Sequence, residues 1–140
     1  MSNALHLIHR LKALDLFYRT AHWKSKGLTF MQDHLLFADL YAGLDLEVDT
    51  LVELMRSNKT INDRDISPRV LNKSIHDVLP ADGINNAENF KIALEVEKAV
   101  VDLIAGVTTA EVSVGVYNHI AGISQTHEKK IYLISSRLEA

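Results

Sequence analysis

Apolar residues recur every three or four positions along most of the chain. Leu7, Leu11, Leu14, Tyr18 and Ala21 make one stripe, which predicts a helix from about Ser2 or Asn3 to Lys26, stopped by Gly27. A second stripe of Phe30, His34, Phe37, Tyr41, Leu44, Val48, Leu51 and Met55 predicts one continuous helix to about Asn58. Thr29 is its expected N-cap, with Gln32 as capping-box partner. The polar stretch 58–65 reads as loop, and Ser67-Pro68 opens a short helix that Pro80 and Gly83 end beyond Val78. Phe90, Ala93, Val96, Val100, Leu103 and Ile104 predict a third long helix over Asn86–Ala105. Val112, Val116, Ile120, Ile123, Ile131, Ile134 and Leu138 predict a fourth from Thr108 or Thr109 to about Leu138.

Four long helices with one long crossover between the second and third predict an all-α chain. The arrangement is a ferritin-like four-helix bundle with a short extra helix in the crossover. At 140 residues, 47% hydrophobic and 24% charged, residues 1–140 fit one domain with an ample core. No apolar run approaches the roughly 20 residues of a membrane span. The absence of cysteine excludes disulfides, iron–sulfur clusters and thiolate zinc sites. With no secretory signal visible, a cytoplasmic location is expected. A net charge of −3 argues against a generally basic nucleic-acid surface.

The candidate chemistry lies in the first hairpin. His22-Trp23, His34, Asp49 and Glu53 are metal-ligand types, apart from the tryptophan, and suit divalent iron, manganese or zinc. Asp49 and Glu53 stand at i and i+4, on one helix face, and Asp45 extends the row by a turn. On a continuous helix His34 and Asp49 would be roughly 22 Å apart, too far to share one ion. If all four residues are ligands, the centre lies between two subunits. An antiparallel pairing of the second helix about a two-fold axis would bring the histidines of one copy to the carboxylates of the other. The competing reading is two core or interface histidines and a solvated acidic face. No histidine follows a glutamate by three residues, so the Glu-x-x-His pattern of a single-bundle metal centre is missing.

The segment His22-Trp23-Lys24-Ser25-Lys26-Gly27, with Phe30, His34 and Asp49-Thr50-Leu51-Val52-Glu53, resembles the signature of the Dps family, the mini-ferritins. Weaker similarity around Thr126-His127-Glu128-Lys129, Leu133 and Leu138 extends the resemblance over most of the chain. It implies a hollow dodecamer that oxidises ferrous iron at two-fold interfaces, with hydrogen peroxide favoured over oxygen, and stores ferric mineral as protection against oxidative damage. It implies His22 and His34 as ligands from one subunit and Asp49 and Glu53 from its partner, with Trp23 beside the centre and Asp45 a further candidate. Asp102 and Glu111 become candidates for the three-fold pores, although a solvated surface accounts for them equally.

Two positions depart from the family pattern. Ala38 stands where a further carboxylate is usual, which weakens the second metal position, and Lys24 replaces an asparagine. A Dps-like shell with impaired ferroxidase activity is therefore the alternative, and a metal-free helical interaction protein is a third reading. Lysine-rich tails are absent and the basic pairs Lys24/Lys26 and Lys129/Lys130 read as solvated charge, so weak or no DNA binding is expected.

Overall fold

The computed structural model describes residues 2–139, and among these no strand occurs. Six helices follow in order: α1 (Asn3–Lys24), α2 (Phe30–Tyr41), α3 (Leu44–Ser57), α4 (Pro68–Val78), α5 (Asn86–Ala105) and α6 (Val114–Glu139). The α2–α3 pair acts as one bent helix. With α1, α5 and α6 it forms a four-helix bundle, and α4 lies against α1 in the crossover.

The predicted stripes face one core. Leu7, Leu11, Leu14, Phe37, Leu51, Phe90, Val100, Ile120 and Ile134 are buried together. Burying each such side chain contributes about 1.5–3 kcal/mol. Phe37 and Phe90 stack across the bundle with centroids 4.1 Å apart.

Three boundaries differ from expectation. First, α1 stops at Lys24; Ser25 folds its Oγ–H back onto Ala21 O at 2.9 Å, and Gly27 takes φ +87°. Second, the long helix is not continuous. Ala42 leaves helical geometry at ψ 131° and Gly43 sits at φ +83°, a left-handed conformation open to glycine without steric cost. The Leu40 carbonyl at this break accepts a hydrogen bond from the buried Lys130 Nζ at 2.9 Å. Lys130 is thus a core residue and not solvated charge. Third, α6 starts only at Val114, after a turn at 109–111 and a bend at 112. The β-branched Thr108, Thr109 and Val112 have weak helix propensity.

Thr29 also does not cap α2 as expected. Its hydroxyl donates to the Asp33 carboxylate at 2.6 Å and makes no bond to the helix N-terminal amides. Asp33 is buried and accepts two hydrogen bonds from Arg137, at 2.7 and 2.9 Å, and a third from Asn86 Nδ2 at 2.9 Å. Burial alone would raise its carboxyl; the bonds from Arg137, Thr29 and Asn86 outweigh it and hold Asp33 below the ordinary carboxylate range. Asn86 also donates to Lys26 O and accepts from Lys26 N. The start of α5 and the end of α6 therefore clamp the turn between α1 and α2, the element that places both hairpin histidines.

Candidate metal centre

His22 stands in the last turn of α1 and His34 in the second turn of α2, so the clamped hairpin brings them face to face. Their rings stack with centroids 3.6 Å apart and planes within 14°. Each ring is tied to the other's backbone: His22 Nδ1–H donates to His34 O at 2.6 Å, and His34 Nδ1–H donates to His22 O at 2.9 Å. A carbonyl only accepts, so both Nδ1 atoms carry the proton. An imidazole protonated at Nδ1 alone carries its free lone pair at Nε2. Fixing a ring through one nitrogen while freeing the other is how proteins orient imidazole ligands. Phe30 stacks on the outer face of His34 with centroids 4.9 Å apart, and the Tyr41 ring stands edge-on to His22.

Asp49 and Glu53 are exposed on α3, one turn apart. Hydrogen bonding to Asp49, and then its negative charge, raise the Glu53 carboxyl above its ordinary value. Two carboxylates that disfavour each other's charge at this spacing form an acceptor set that a cation would satisfy. Asp45 is drawn aside toward Arg19 NH2, 3.5 Å away. Asp45 and Asp49 line a cleft of about 250 Å³ between α1, α3 and α4, together with Asp15 and Lys12.

Within one chain the histidine pair and the carboxylate pair do not meet. Among the described residues, no three histidine or acidic side chains are placed to hold a metal ion. Ala38 stands between His34 and Tyr41 on α2 and offers no ligand atom. Trp23 is 69% exposed, so the bundle core does not account for it. Asp102 and Glu111 are both exposed.

A second constellation was not singled out from the sequence. Glu97 and His127 are fully buried in the bundle, where His127 Nδ1 lies 2.6 Å from Glu97 Oε2 and Nε2 lies 2.8 Å from Glu47 Oε2. Tyr18 donates to Glu97 Oε1 at 2.7 Å. Burial works against the imidazolium, but the bonds to Glu47 and Glu97 and the charge of Glu97 raise the His127 pKa above its ordinary value. A sequence signal existed: Glu97, His127 and Lys130 fall on otherwise apolar faces, at helical spacing from Ala93, Val100, Ile123 and Ile134.

The architecture has counterparts of known structure. Over 97% of this chain and 87% of the other, it is similar to Dps from Thermosynechococcus elongatus, with a TM-score of 0.79 at 17% identity. A Dps protein from Vibrio cholerae O1, described as a member of a broad superfamily of ferritin-like diiron-carboxylate proteins, matches 97% of this chain and 86% of its own at TM-score 0.66 and 21% identity. The fold is that of the Dps proteins. No family model and no curated protein sequence matches the chain. The Dps-like topology therefore rests on the three-dimensional match together with the hairpin residues. Among the described residues no helix is long and apolar enough to cross a membrane.

Proposed function

We propose that this chain is a mini-ferritin subunit: it binds and oxidises ferrous iron at sites shared between two-fold-related copies and stores the ferric product in a hollow dodecamer. The observation that carries this reading is the stacked His22/His34 pair, with both Nδ1 atoms committed and both Nε2 atoms free. Iron here is substrate and cargo. The histidines of one copy hold the ferrous ion. Asp49 and Glu53 of the second copy complete its coordination, with Glu53 able to bridge to a second ion. Hydrogen peroxide is the favoured oxidant, with oxygen the slower one.

Two observations support a partner copy. Exposed apolar side chains surround the histidine pair, with Trp23 and Met31 largely exposed and Leu28 fully so. An apolar cluster of this kind around polar groups is typical of an interface. Antiparallel pairing that joins residue 34 to residues 49–53 also has its midpoint near residues 42–43. Gly43 occupies that midpoint, and nothing lies within 4 Å of a Cβ placed there, so a second backbone can approach closely.

Ala38 favours a second reading alongside the first: the shell persists, but the second iron position is weak and oxidation slow. Anaerobic ferrous titration with aerobic and peroxide-driven uptake followed by absorbance separates the two. One tight iron per site with measurable oxidation fits the first reading with a weakened second position; binding without oxidation fits the inert shell. A native mass near roughly 190 kDa is expected for twelve copies of the 15.7 kDa chain, and a monomer would sink both. DNA binding is expected to be weak at physiological salt, and a tight gel shift there would refute it.

A further inference from the structure

Helix α1 is buried on a second face besides the one turned to the core. Leu5, His9, Ala13 and Phe17 recur at every fourth position, away from the Leu7–Leu11–Leu14–Tyr18 stripe, and all are buried. The crossover lies on this side: α4 packs against α1, and Leu16 lines a groove with Ile75 of α4 and Leu79 just beyond it. His9 is the polar member of the row. It is 4% exposed, and its Nε2 is, among the described residues, the buried side-chain nitrogen or oxygen left without a hydrogen-bond partner.

A neutral ring tolerates this place, because Nε2 can be its bare acceptor. A protonated ring carries N–H at both nitrogens, so it would bury a charge and a donor with nothing to accept it. Burial first, and then the charge of His6 one turn away, hold the His9 pKa below the ordinary 6.5 against the attraction of Asp65. Asp65 is half-buried in the crossover, and its Oδ2 is committed to Asn62 N–H at 3.0 Å. Helix α4 presents Arg69, His76 and the Lys73–Asp77 ion pair, all exposed, so it adds no buried carboxylate for an imidazolium. The ring can meet Asp65 as a partner only by leaving its place.

The chain beyond Asp65 borders the carboxylate pair. Ile66 and Leu71 form one wall of the cleft of about 250 Å³ that Asp45 and Asp49 line from α3. We propose that His9 is an acid latch on the crossover: residues 65–79 seat on α1 over the neutral ring, and protonation of the ring unseats them and opens the cleft beside Asp49. The latch involves no metal and holds whatever the carboxylates bind. Because the folded pKa is lowered, stability at this contact is present above about 6.5, the unfolded value, and is lost as pH falls from there toward the folded value. His127, whose pKa is raised, contributes with the opposite sign, so whole-protein melting would mix the two.

Hydrogen–deuterium exchange of the metal-free full-length protein, followed by mass spectrometry at about pH 7.5 and about pH 5 and corrected for intrinsic exchange, resolves the crossover from the bundle. Protection of the α4 amides should fall at least tenfold at the lower pH in wild type, while α5 keeps its protection. In His9→Leu, which fills the same place with an apolar group that cannot charge, α4 protection should differ by less than twofold between the two pH values. Exchange of the imidazole C2 hydrogens follows each histidine separately, and the pH at which α4 opens in wild type should coincide with the titration of His9. This comparison decides the matter if His9→Leu fails to fold. Protection of α4 that does not change with pH, an equal acid loss in His9→Leu, or opening that coincides with another histidine overturns the latch.

Discussion

His22 and His127 are both histidines with polar partners in one bundle, yet they have opposite settings. His22 is half-buried at a hairpin, stacked on His34, with one nitrogen bonded and the other free. His127 is fully buried, with both nitrogens held between Glu97 and Glu47. A histidine with a free nitrogen at the surface can take a ligand. One sealed between two carboxylates can only hold charge and hold helices together. The difference lies in how many hydrogen-bonding positions folding leaves open, more than in residue type.

The largest effect expected from this contrast is on stability at the sealed site. Glu97→Ala removes the acceptor of Tyr18 and the buried partner of His127. It should cost about 3 kcal/mol, because the buried Tyr18 hydroxyl loses its acceptor and the buried His127 keeps only Glu47. Urea denaturation checks it, and a loss comparable to a surface substitution would mean the network adds little. His22→Ala and His34→Ala should do the reverse: they should remove tight ferrous binding while shifting the unfolding free energy of the separated subunit by roughly 1 kcal/mol or less. If either histidine variant destabilises the chain as strongly as Glu97→Ala, the contrast collapses.

Arg137→Ala probes the clamp beneath the histidine pair. It leaves the buried Asp33 with Thr29 and Asn86 only, and should cost about 2–3 kcal/mol by denaturant melting while loosening the hairpin. A substantial drop in ferrous affinity should accompany it, since the clamp fixes the geometry of both imidazoles.

The sealed histidine also predicts a pH dependence. The folded His127 pKa is raised above the ordinary 6.5 in a setting that includes Glu47, Glu97 and Lys130. Its stabilisation is therefore fully present below about 6.5, the value in the unfolded chain, and is lost as pH rises through the folded value. Unfolding midpoints measured from pH 6 to pH 9 should fall in wild type, and this component of the slope should vanish in His127→Gln. Smallest of all is the bend: Gly43→Ala forces a side chain into a left-handed conformation and should cost about 1–2 kcal/mol in the isolated subunit. A larger loss of native mass than of subunit stability would support close backbone approach at that glycine.

Much of the fold was legible from periodicity. The helices Pro68–Val78 and Asn86–Ala105 begin and end where Pro68, Asn86 and the glycines and prolines beyond them indicate. The long second helix misled because its stripe runs unbroken through Leu44, and one glycine in a good pattern is usually tolerated. It breaks at Ala42 and Gly43, where Gly43 takes a left-handed conformation, and a distant residue, Lys130, offers its ammonium to Leu40 O at the break. The hairpin histidines were legible as a spaced motif, while the Glu97–His127–Glu47 set was not, because its members come from three separate helices.

Sequence alone determined the helical periodicity, the crossover and the presence of a histidine pair and a carboxylate pair on the first hairpin. These follow from local spacing, since helical geometry converts residue number directly into direction and distance. Only the tertiary structure decided which histidine nitrogens are free, that Lys130 and Glu97 are core residues, and that the second helix bends at Gly43. Those outcomes depend on which groups become each other's neighbours when water is removed, and on whether a buried charge or carbonyl finds its partner from another helix.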